Sequence, residues 1–127
     1  MTSTKTTDAS SASHIDRWEV QLRKGCLDLA ILGILWPERL YGLEILRRLE
    51  KDSDMALSAG TVYPLLARLK AEGLLESEWV EADAGHPRKY YRLTAVGRRR
   101  AIEIARMWSA FASSLGVLLS PVLKEKR

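Results

Sequence analysis

Residues that build covalent or metal-based scaffolds are scarce in this 127-residue chain. The single cysteine, Cys26, excludes an intrachain disulfide framework and suits a reducing compartment. The two histidines, His14 and His86, stand far from each other and from Cys26, so no metal-ligand spacing is present. We therefore expect no disulfide, no metal and no other cofactor, and a structural role for Cys26, whose neighbours are apolar.

Long uninterrupted hydrophobic runs are also missing. The longest, from Cys26 to Trp36, contains Asp28 and is followed by Pro37. It is much shorter than the roughly 20 residues that span a bilayer. Residues 1–14 are polar and lack the basic-then-apolar order of a secretory signal. The sequence thus predicts a cytoplasmic protein without a membrane span, preceded by a flexible leader at residues 1–14.

Motifs of common enzyme classes are absent from the sequence. It has no P-loop, no Gly-rich dinucleotide fingerprint and no histidine close to a nucleophile. The composition, 46% hydrophobic and 28% charged with a net charge of +4, is that of a mildly basic globular domain. The distribution of positive charge is therefore more informative than its total. We expect a binding protein and not an enzyme.

Apolar spacing predicts two helices in the first half of the chain. The first begins near Asp16 and ends before Pro37, and its nearly continuous apolar run indicates burial on most sides. The second covers about Tyr41 to Lys51, with apolar residues on one face and charged residues on the other.

A third helix ends at Glu72, where Gly73 supplies a stop. Its start is open between Ser58 and Thr61, because Pro64 loses a hydrogen bond in the longer helix but not in the shorter one. Its predicted core stripe is Val62, Leu65, Leu66 and Leu69.

The pattern then changes to two strands, Leu74 to Val80 and Arg88 to Leu93, which are joined by a turn at Ala84 to Pro87. Thr94 is a predicted N-cap for a long helix from Ala95 to about Leu119. Three helices and a hairpin are the order of a winged helix-turn-helix. We expect a mainly α fold with a small β-hairpin, in which residues 15–94 bind DNA and residues 95–127 form a dimerisation helix and a charged tail.

The outer face of the third helix is unusual for a helix that meets only water. Opposite the core stripe lie small residues, and hydrogen-bond donors flank them. Such a surface suits close approach to a DNA groove; the alternative is packing against another protein helix. The small residues are Gly60, Pro64, Ala67 and Ala71, and the flanking donors are Thr61, Tyr63 and Arg68.

Basic residues are concentrated on the second hairpin strand and the start of the last helix. No acidic residue occurs between Ala84 and Ile102, whereas the first strand and turn are acidic. This segregation predicts a positive wing with Arg88 and Lys89 on DNA phosphates; the alternative is an ordinary solvated face. The basic residues are Arg88, Lys89, Arg92, Arg98, Arg99 and Arg100, and the acidic ones are Glu76, Glu78, Glu81 and Asp83.

Apolar residues of the last helix recur at alternating spacings of three and four, which is a heptad seam. A domain this small cannot cover so wide an apolar side, so we expect a homodimer in which Leu22 of the first helix also takes part. Val122 is discounted because Pro121 is expected to end the helix. The seam residues are Ala101, Ile104, Trp108, Phe111, Leu115 and Leu118.

Three blocks in order, LYGLEILRRLEK, LSAGTVYPLLARLKAEGLLE and GHPRKYYRLTAVGRRR, resemble the PadR family of transcriptional regulators over roughly Leu22 to Leu119. The resemblance implies a homodimer whose third helix enters the major groove. It places Tyr41 and Tyr63 at phosphates and Lys89 at the wing. His86 stands where the family commonly has arginine, so its contact is weaker or sensitive to pH. The implied reading end of the helix is Ser58, Gly60, Thr61 and Pro64.

The family likeness also implies a regulatory input. Trp108 matches an aromatic position that in some members stacks on planar aromatic compounds at the dimer interface, and Trp18 is a second candidate. The alternative is that both are large core residues. The function expected is therefore a repressor on an inverted-repeat operator, released by a small aromatic effector. A winged-helix adaptor that binds protein rather than DNA is the competing function.

Overall fold

The computed structural model describes residues 17–18, 21–22, 26–52, 57–81 and 85–125. The predicted leader at residues 1–14, together with Asp83 of the predicted acidic turn, lies outside these residues. Residues 26–34 form helix α1, and residues 17–18 and 21–22 are also helical. The other helices are α2 (Gly42–Asp52), α3 (Ala59–Ala71) and α4 (Ala95–Leu123), and the strands are β1 (Leu40–Tyr41), β2 (Leu75–Val80) and β3 (Arg88–Leu93).

The three strands form one antiparallel sheet in the order β1-β3-β2. The predicted hairpin of β2 and β3 is confirmed, but β1 was not predicted. Tyr41 was assigned to the start of the second helix, whereas it pairs with Tyr90 of β3. A strand of two residues is too short to show the alternation by which strands are recognised. The Glu44 carboxylate accepts the Tyr41 backbone N–H at 3.1 Å, so α2 begins only at Gly42.

The core lies between the helices and one face of the sheet. The predicted stripe of α3 is buried, with Val62, Leu66 and Leu69 fully inaccessible to solvent. Of the two adjacent tyrosines on β3, Tyr91 is buried and Tyr90 is half-buried, as the alternation of side chains along a strand requires. The largest fully buried side chains are Ile31, Leu32, Leu35, Leu40, Ile45, Leu49, Leu66, Leu69, Leu75 and Val62.

Helix α3 takes the longer of the two predicted forms. Ser58 is the N-cap and Ala59 the first helical residue, so Pro64 lies inside the helix and one backbone hydrogen bond is missing there. At the other end, the N–H of Gly73 bonds to the Lys70 carbonyl and that of Leu74 to the Leu69 carbonyl, both at 3.0 Å. This is a Schellman motif, for which the positive φ of Gly73 is required. The predicted glycine stop is confirmed.

Thr94 begins α4 as predicted, because its Oγ1 accepts the Gly97 N–H at 2.9 Å. The predicted end at Leu119 is wrong, since the helix continues through Pro121 to Leu123. A proline near a helix end removes only its own N–H, and Lys124 N–H still bonds to the Ser120 carbonyl at 3.2 Å. Val122 therefore lies on the helix and joins the apolar seam.

Helix α4 also corrects the expectation that no segment is long and apolar enough to cross a membrane. Among the described residues, one helix, α4, meets that test of length and composition. From Met107 to Leu123 the sequence contains no charged residue. The sequence analysis missed this because it counted uninterrupted apolar runs, and serines and a glycine break up the run here. A helix whose apolar side is covered by a second protein copy has the same composition.

Candidate nucleic-acid interface

The small outer face predicted for α3 is exposed, as expected. Gly60, Pro64, Ala67 and Ala71 all lie at the surface of the chain. At the N-terminal end of the helix, the hydroxyls of Ser58 and Thr61 are 3.2 Å apart and share a hydrogen bond. The helix therefore presents a low surface with two hydroxyl groups at one end, which can approach the edges of bases closely.

A cleft of about 360 Å³ lies between this face and the wing. Its walls come from β1, from the N-terminus of α2, from α3 and from the two hairpin strands, so distant parts of the sequence meet there. It brings together three tyrosines, one tryptophan and two cations. The lining residues are Tyr41, Gly42, Leu43, Tyr63, Trp79, Pro87, Arg88, Lys89 and Tyr91.

Arg88 lies over an aromatic ring on the outer face of the sheet. Its guanidinium carbon is 4.6 Å from the centroid of Tyr41, and the Tyr41 ring meets that of Tyr90 edge-on at 5.6 Å. Arg39 lies over the other side of this pair, 4.7 Å from the Tyr90 centroid, and forms an ion pair with Glu78. Within the described residues Arg88 has no carboxylate partner, so its charge is available to a phosphate.

Lys89 lies on the opposite face of β3 from Arg88. Its Nζ is 5.7 Å from the centroid of Tyr91 and 5.9 Å from that of Trp79, so the ammonium group faces two rings. No carboxylate within the described ranges forms an ion pair with it. Arg88 and Lys89 are thus two uncompensated positive charges that line one cleft beside the exposed face of α3.

The predicted positive patch is narrower than the sequence indicated. Antiparallel pairing places Glu76 opposite Arg92, and Arg92 forms ion pairs with Glu76 at 2.7 Å and with Glu78 at 3.5 Å. Hydrogen bonding to Glu76 raises the pKa of Arg92. The inferred segregation of acidic from basic residues is therefore wrong across the hairpin, because residues separated in sequence are paired across the strands.

The three arginines at the start of α4 differ in their surroundings. Arg98 lies 4.9 Å over the Trp36 ring and donates to the Trp36 carbonyl at 3.3 Å, while Arg99 and Arg100 are exposed.

Arg68, a predicted DNA contact, is already paired with two carboxylates of its own chain. Its guanidinium binds the Asp28 carboxylate of α1 at 2.6 Å and the Glu72 carboxylate at 3.0 Å. The hydrogen bond to Asp28, followed by that to Glu72, raises the pKa of Arg68. His86, the predicted contact at the wing tip, is exposed.

The seam residues of α4 divide into two groups. Ala101 is buried and Ile104 packs against the core, whereas the remaining four point away from their own domain. A groove of about 320 Å³ is lined by Leu29 and Gly33 of α1, by Trp36, which follows this helix, and by Ala101, Ile102 and Ala105 of α4. The exposed members are Trp108, Phe111, Leu115 and Leu118, and Leu22 and Trp18 are exposed as well.

The sequence analysis missed Trp79 and Arg39 as residues of this region. Trp79 is 68% exposed although it is the largest side chain on the wing. Its position in an alternating strand opposite a lysine was the only signal in the sequence. Arg39 gave none, since its contact with Tyr90 depends on the unpredicted strand β1.

Residues 31–103 match the sequence profile of the Transcriptional regulator PadR-like family. The chain is 35% identical to Transcriptional regulator Rv3488 of Mycobacterium tuberculosis over 89 residues, which covers 65% of this chain and 81% of that protein. A PadR family transcriptional regulator from Eggerthella lenta is 34% identical in its crystal structure, with a TM-score of 0.77 over 87% of this chain and 96% of that one. A PadR-like transcriptional regulator from Bacillus cereus is 31% identical, with a TM-score of 0.71 over 84% and 99%.

Proposed function

The chain belongs to the PadR-like family of transcriptional regulators, and on this basis we propose that it is a homodimeric, cytoplasmic repressor that binds an inverted-repeat operator. Its family makes it a DNA-binding regulator and not an enzyme. The observation that carries the proposal is the exposed, low face of α3 beside a cleft lined by the uncompensated charges of Arg88 and Lys89.

The base-reading role falls to the first turns of α3. Ser58 and Thr61 supply hydroxyls that donate to or accept from base edges, and Gly60 and Pro64 keep the helix surface low enough for the backbone to approach them. A bulky side chain at either of the latter positions separates the helix from the groove floor. Specificity in this proposal therefore depends on small residues as much as on donors.

The phosphate-binding role falls to the cleft and the wing. Tyr41 and Tyr63 line the cleft with their phenol groups, and Arg88 and Lys89 provide the charge. Cations on phosphates release condensed counterions, so these contacts give affinity that falls with salt but carry no sequence information. His86 adds a weaker contact at the tip. Arg68 contributes less, because two carboxylates already hold it.

Dimerisation is supported by the exposed apolar side of α4. Phe111 and Leu118 are 70% and 73% exposed in the single chain, and surfaces of this kind mark protein interfaces. In a dimer held together by α4 and by Leu22, two α3 helices address successive major-groove turns about 34 Å apart. The expected operator is a short inverted repeat, and occupancy near a promoter blocks transcription.

The proposed regulatory site is the same seam. Trp108 and Trp18 are 53% and 65% exposed, so neither belongs to the core of its own chain, and a planar aromatic effector stacked on them changes the spacing of the two reading helices. Tryptophan quenching by a panel of aromatic compounds, in the wild type and in Trp108→Ala, tests this. Quenching that survives the substitution removes Trp108 from the site.

The decisive experiment for DNA binding is selection of bound sequences from random duplexes, followed by fluorescence anisotropy at two salt concentrations. We expect an enriched inverted repeat whose affinity falls steeply as salt rises. A winged-helix adaptor predicts a stable dimer that shows neither enrichment nor salt-dependent affinity. That result excludes the proposal.

A further inference from the structure

Trp79 has a larger exposed surface than its place in the wing explains. It lies on β2, 68% exposed, and contributes nothing to the main core. An indole left in water gains no stabilisation from burial. A structural role in the core therefore does not account for the tryptophan at this position.

One charged neighbour of Trp79 is Lys89. The two residues are Cα partners across β2 and β3, so their side chains lie on the same face of the sheet. Lys89 Nζ is 5.9 Å from the Trp79 centroid and 5.7 Å from the Tyr91 centroid. Both distances are within the range of cation–π attraction. Tyr91 is buried, so one ring is fixed by the core and the other, Trp79, closes the opposite side.

The location of this pair matters because both residues line the cleft beside α3. A free lysine side chain has four rotatable bonds, and fixing it on a phosphate costs rotamer entropy. Two rings that hold the ammonium in the cleft restrict the lysine side chain before DNA binds. Less rotamer entropy is therefore lost on binding. Arg88, the other cation of the wing, has a ring partner of its own in Tyr41.

We propose that Trp79 is a positioning residue for DNA binding: it holds the Lys89 ammonium in the cleft, ready for a backbone phosphate. This inference rests on the proposed function. An exposed cation–π contact is weak, so replacing the ring lowers affinity about two- to fivefold. The loss is the same for every DNA sequence, because phosphates carry no base information.

The test uses the full-length protein and duplexes of about 30 base pairs and random sequence, long enough for two half-sites one helical turn apart. Trp79→Leu keeps apolar bulk but removes the ring, and Trp79→Phe keeps a ring. We expect Trp79→Leu to weaken binding and Trp79→Phe to retain most of it. Both variants are expected to have the same midpoint of urea unfolding as the wild type, since the indole is exposed. Equal losses in the two variants overturn the proposal.

A double-mutant cycle with Lys89→Ala separates positioning from direct contact. If Trp79 acts through Lys89, Trp79→Leu causes no further loss in the Lys89→Ala background. If the indole itself contacts DNA, the two losses multiply, and the positioning role is wrong.

NMR of the free protein gives an independent readout. Ring currents shift the Lys89 ε-methylene protons upfield in the wild type and in Trp79→Phe, and this shift decreases in Trp79→Leu; an unchanged shift contradicts the proposal.

The failure of this inference is distinguishable from failure of DNA binding itself. If the wild-type protein shows no salt-dependent affinity for the duplex pool, both the proposed function and this inference are wrong. If the wild type binds, its salt dependence decreases in Lys89→Ala and the losses in the cycle are additive, the proposed function stands and only the role of Trp79 is wrong.

Discussion

Gly42, the first residue of α2, lies directly against the phenol ring of Tyr63 on α3. A Cβ atom at position 42 would lie 2.9 Å from the Tyr63 hydroxyl oxygen and closer still to its Cε1. Non-bonded carbon atoms do not approach this closely, so the ring keeps its place only because position 42 has no side chain. The contact between α2 and α3 at this pair therefore sets the position of the Tyr63 ring in the cleft.

Gly42→Ala is therefore expected to displace Tyr63. Overpacking of a closed core costs about 1–3 kcal/mol. The cost here is at the lower end of that range, because the Tyr63 ring is partly exposed and can rotate aside, and the better helix propensity of alanine offsets part of it. We expect a lower free energy of unfolding in urea together with weaker binding to duplex DNA. In a Tyr63→Ala background the three closest contacts of this Cβ atom are removed, so the same substitution is expected to cost less stability there. Destabilisation of equal size in both backgrounds would show that the ring is not the cause.

Gly97→Ala is expected to be the more damaging glycine substitution. A Cβ there would lie 3.0 Å from the carbonyl carbon of Leu74 and closer still to its oxygen. Backbone cannot rotate away as a ring can, and the same carbonyl accepts the Thr94 N–H at 3.1 Å. We expect a loss of unfolding free energy larger than that of Gly42→Ala, measured without DNA. Gly60→Ala, whose Cβ would meet only Ser58 Oγ at 3.7 Å, is the control and is expected to be at least as stable as the wild type, because alanine has the better helix propensity.

The contrast between α3 and β1 shows how far the sequence alone leads. The stripe from Val62 to Leu69 and the cap at Thr94 follow from local spacing and residue chemistry, and the structure confirms both. Strand β1 depends on which segment pairs with β3, and the ion pair of Arg92 with Glu76 depends on the register of the predicted hairpin. Local pattern carries no such information. The cleft escaped prediction for the same reason, since its walls come from five separate elements.

Arg68→Ala and Lys89→Ala are expected to differ in their salt dependence. Arg68 is held by Asp28 and Glu72, so it displaces few counterions when DNA binds, and its removal is expected to change the salt slope little. Lys89 has no such partner among the described residues, and its removal is expected to lower the slope of log affinity against log salt by about 1. Anisotropy titrations between about 50 and 200 mM salt measure both slopes. An equal decrease in the two variants would place Arg68 on a phosphate after all.

Tyr91→Phe is expected to reduce the loss of stability at alkaline pH. Burial, with a smaller contribution from Tyr63, raises the pKa of Tyr91 above its ordinary value near 10. The folded state thus favours the neutral phenol. This stabilisation is complete below about pH 10 and is lost as the pH rises through the higher pKa of the folded state.

Urea unfolding as a function of pH tests this expectation. Lys89 lies over the Tyr91 ring, so both proteins are compared in a Lys89→Ala background, which removes its charge from the comparison. We expect the free energy of unfolding to fall less steeply above about pH 10 in Tyr91→Phe than in its parent. Superimposable curves would mean that Tyr91 does not determine the alkaline limit.

Phe111→Arg is expected to separate the proposed dimer into single chains that still fold. Phe111 is 70% exposed in its own chain, so an arginine there does not disturb the domain core. In a dimer the same position lies at the middle of the seam, where two copies of a buried, unpaired charge are strongly unfavourable. Sedimentation is expected to give the monomer mass. Affinity for the selected inverted repeat is expected to fall, because a single chain binds only one of the two half-sites.

Ser113→Arg supplies the matched control. Two residues along a helix turn about 200° around its axis, so the same charge on the same helix then faces away from the seam. This variant is expected to remain dimeric and to bind the operator at least as tightly as the wild type. Dimers that persist in Phe111→Arg, or dissociation of both variants alike, would show that the heptad pattern of α4 is not the surface through which two copies associate.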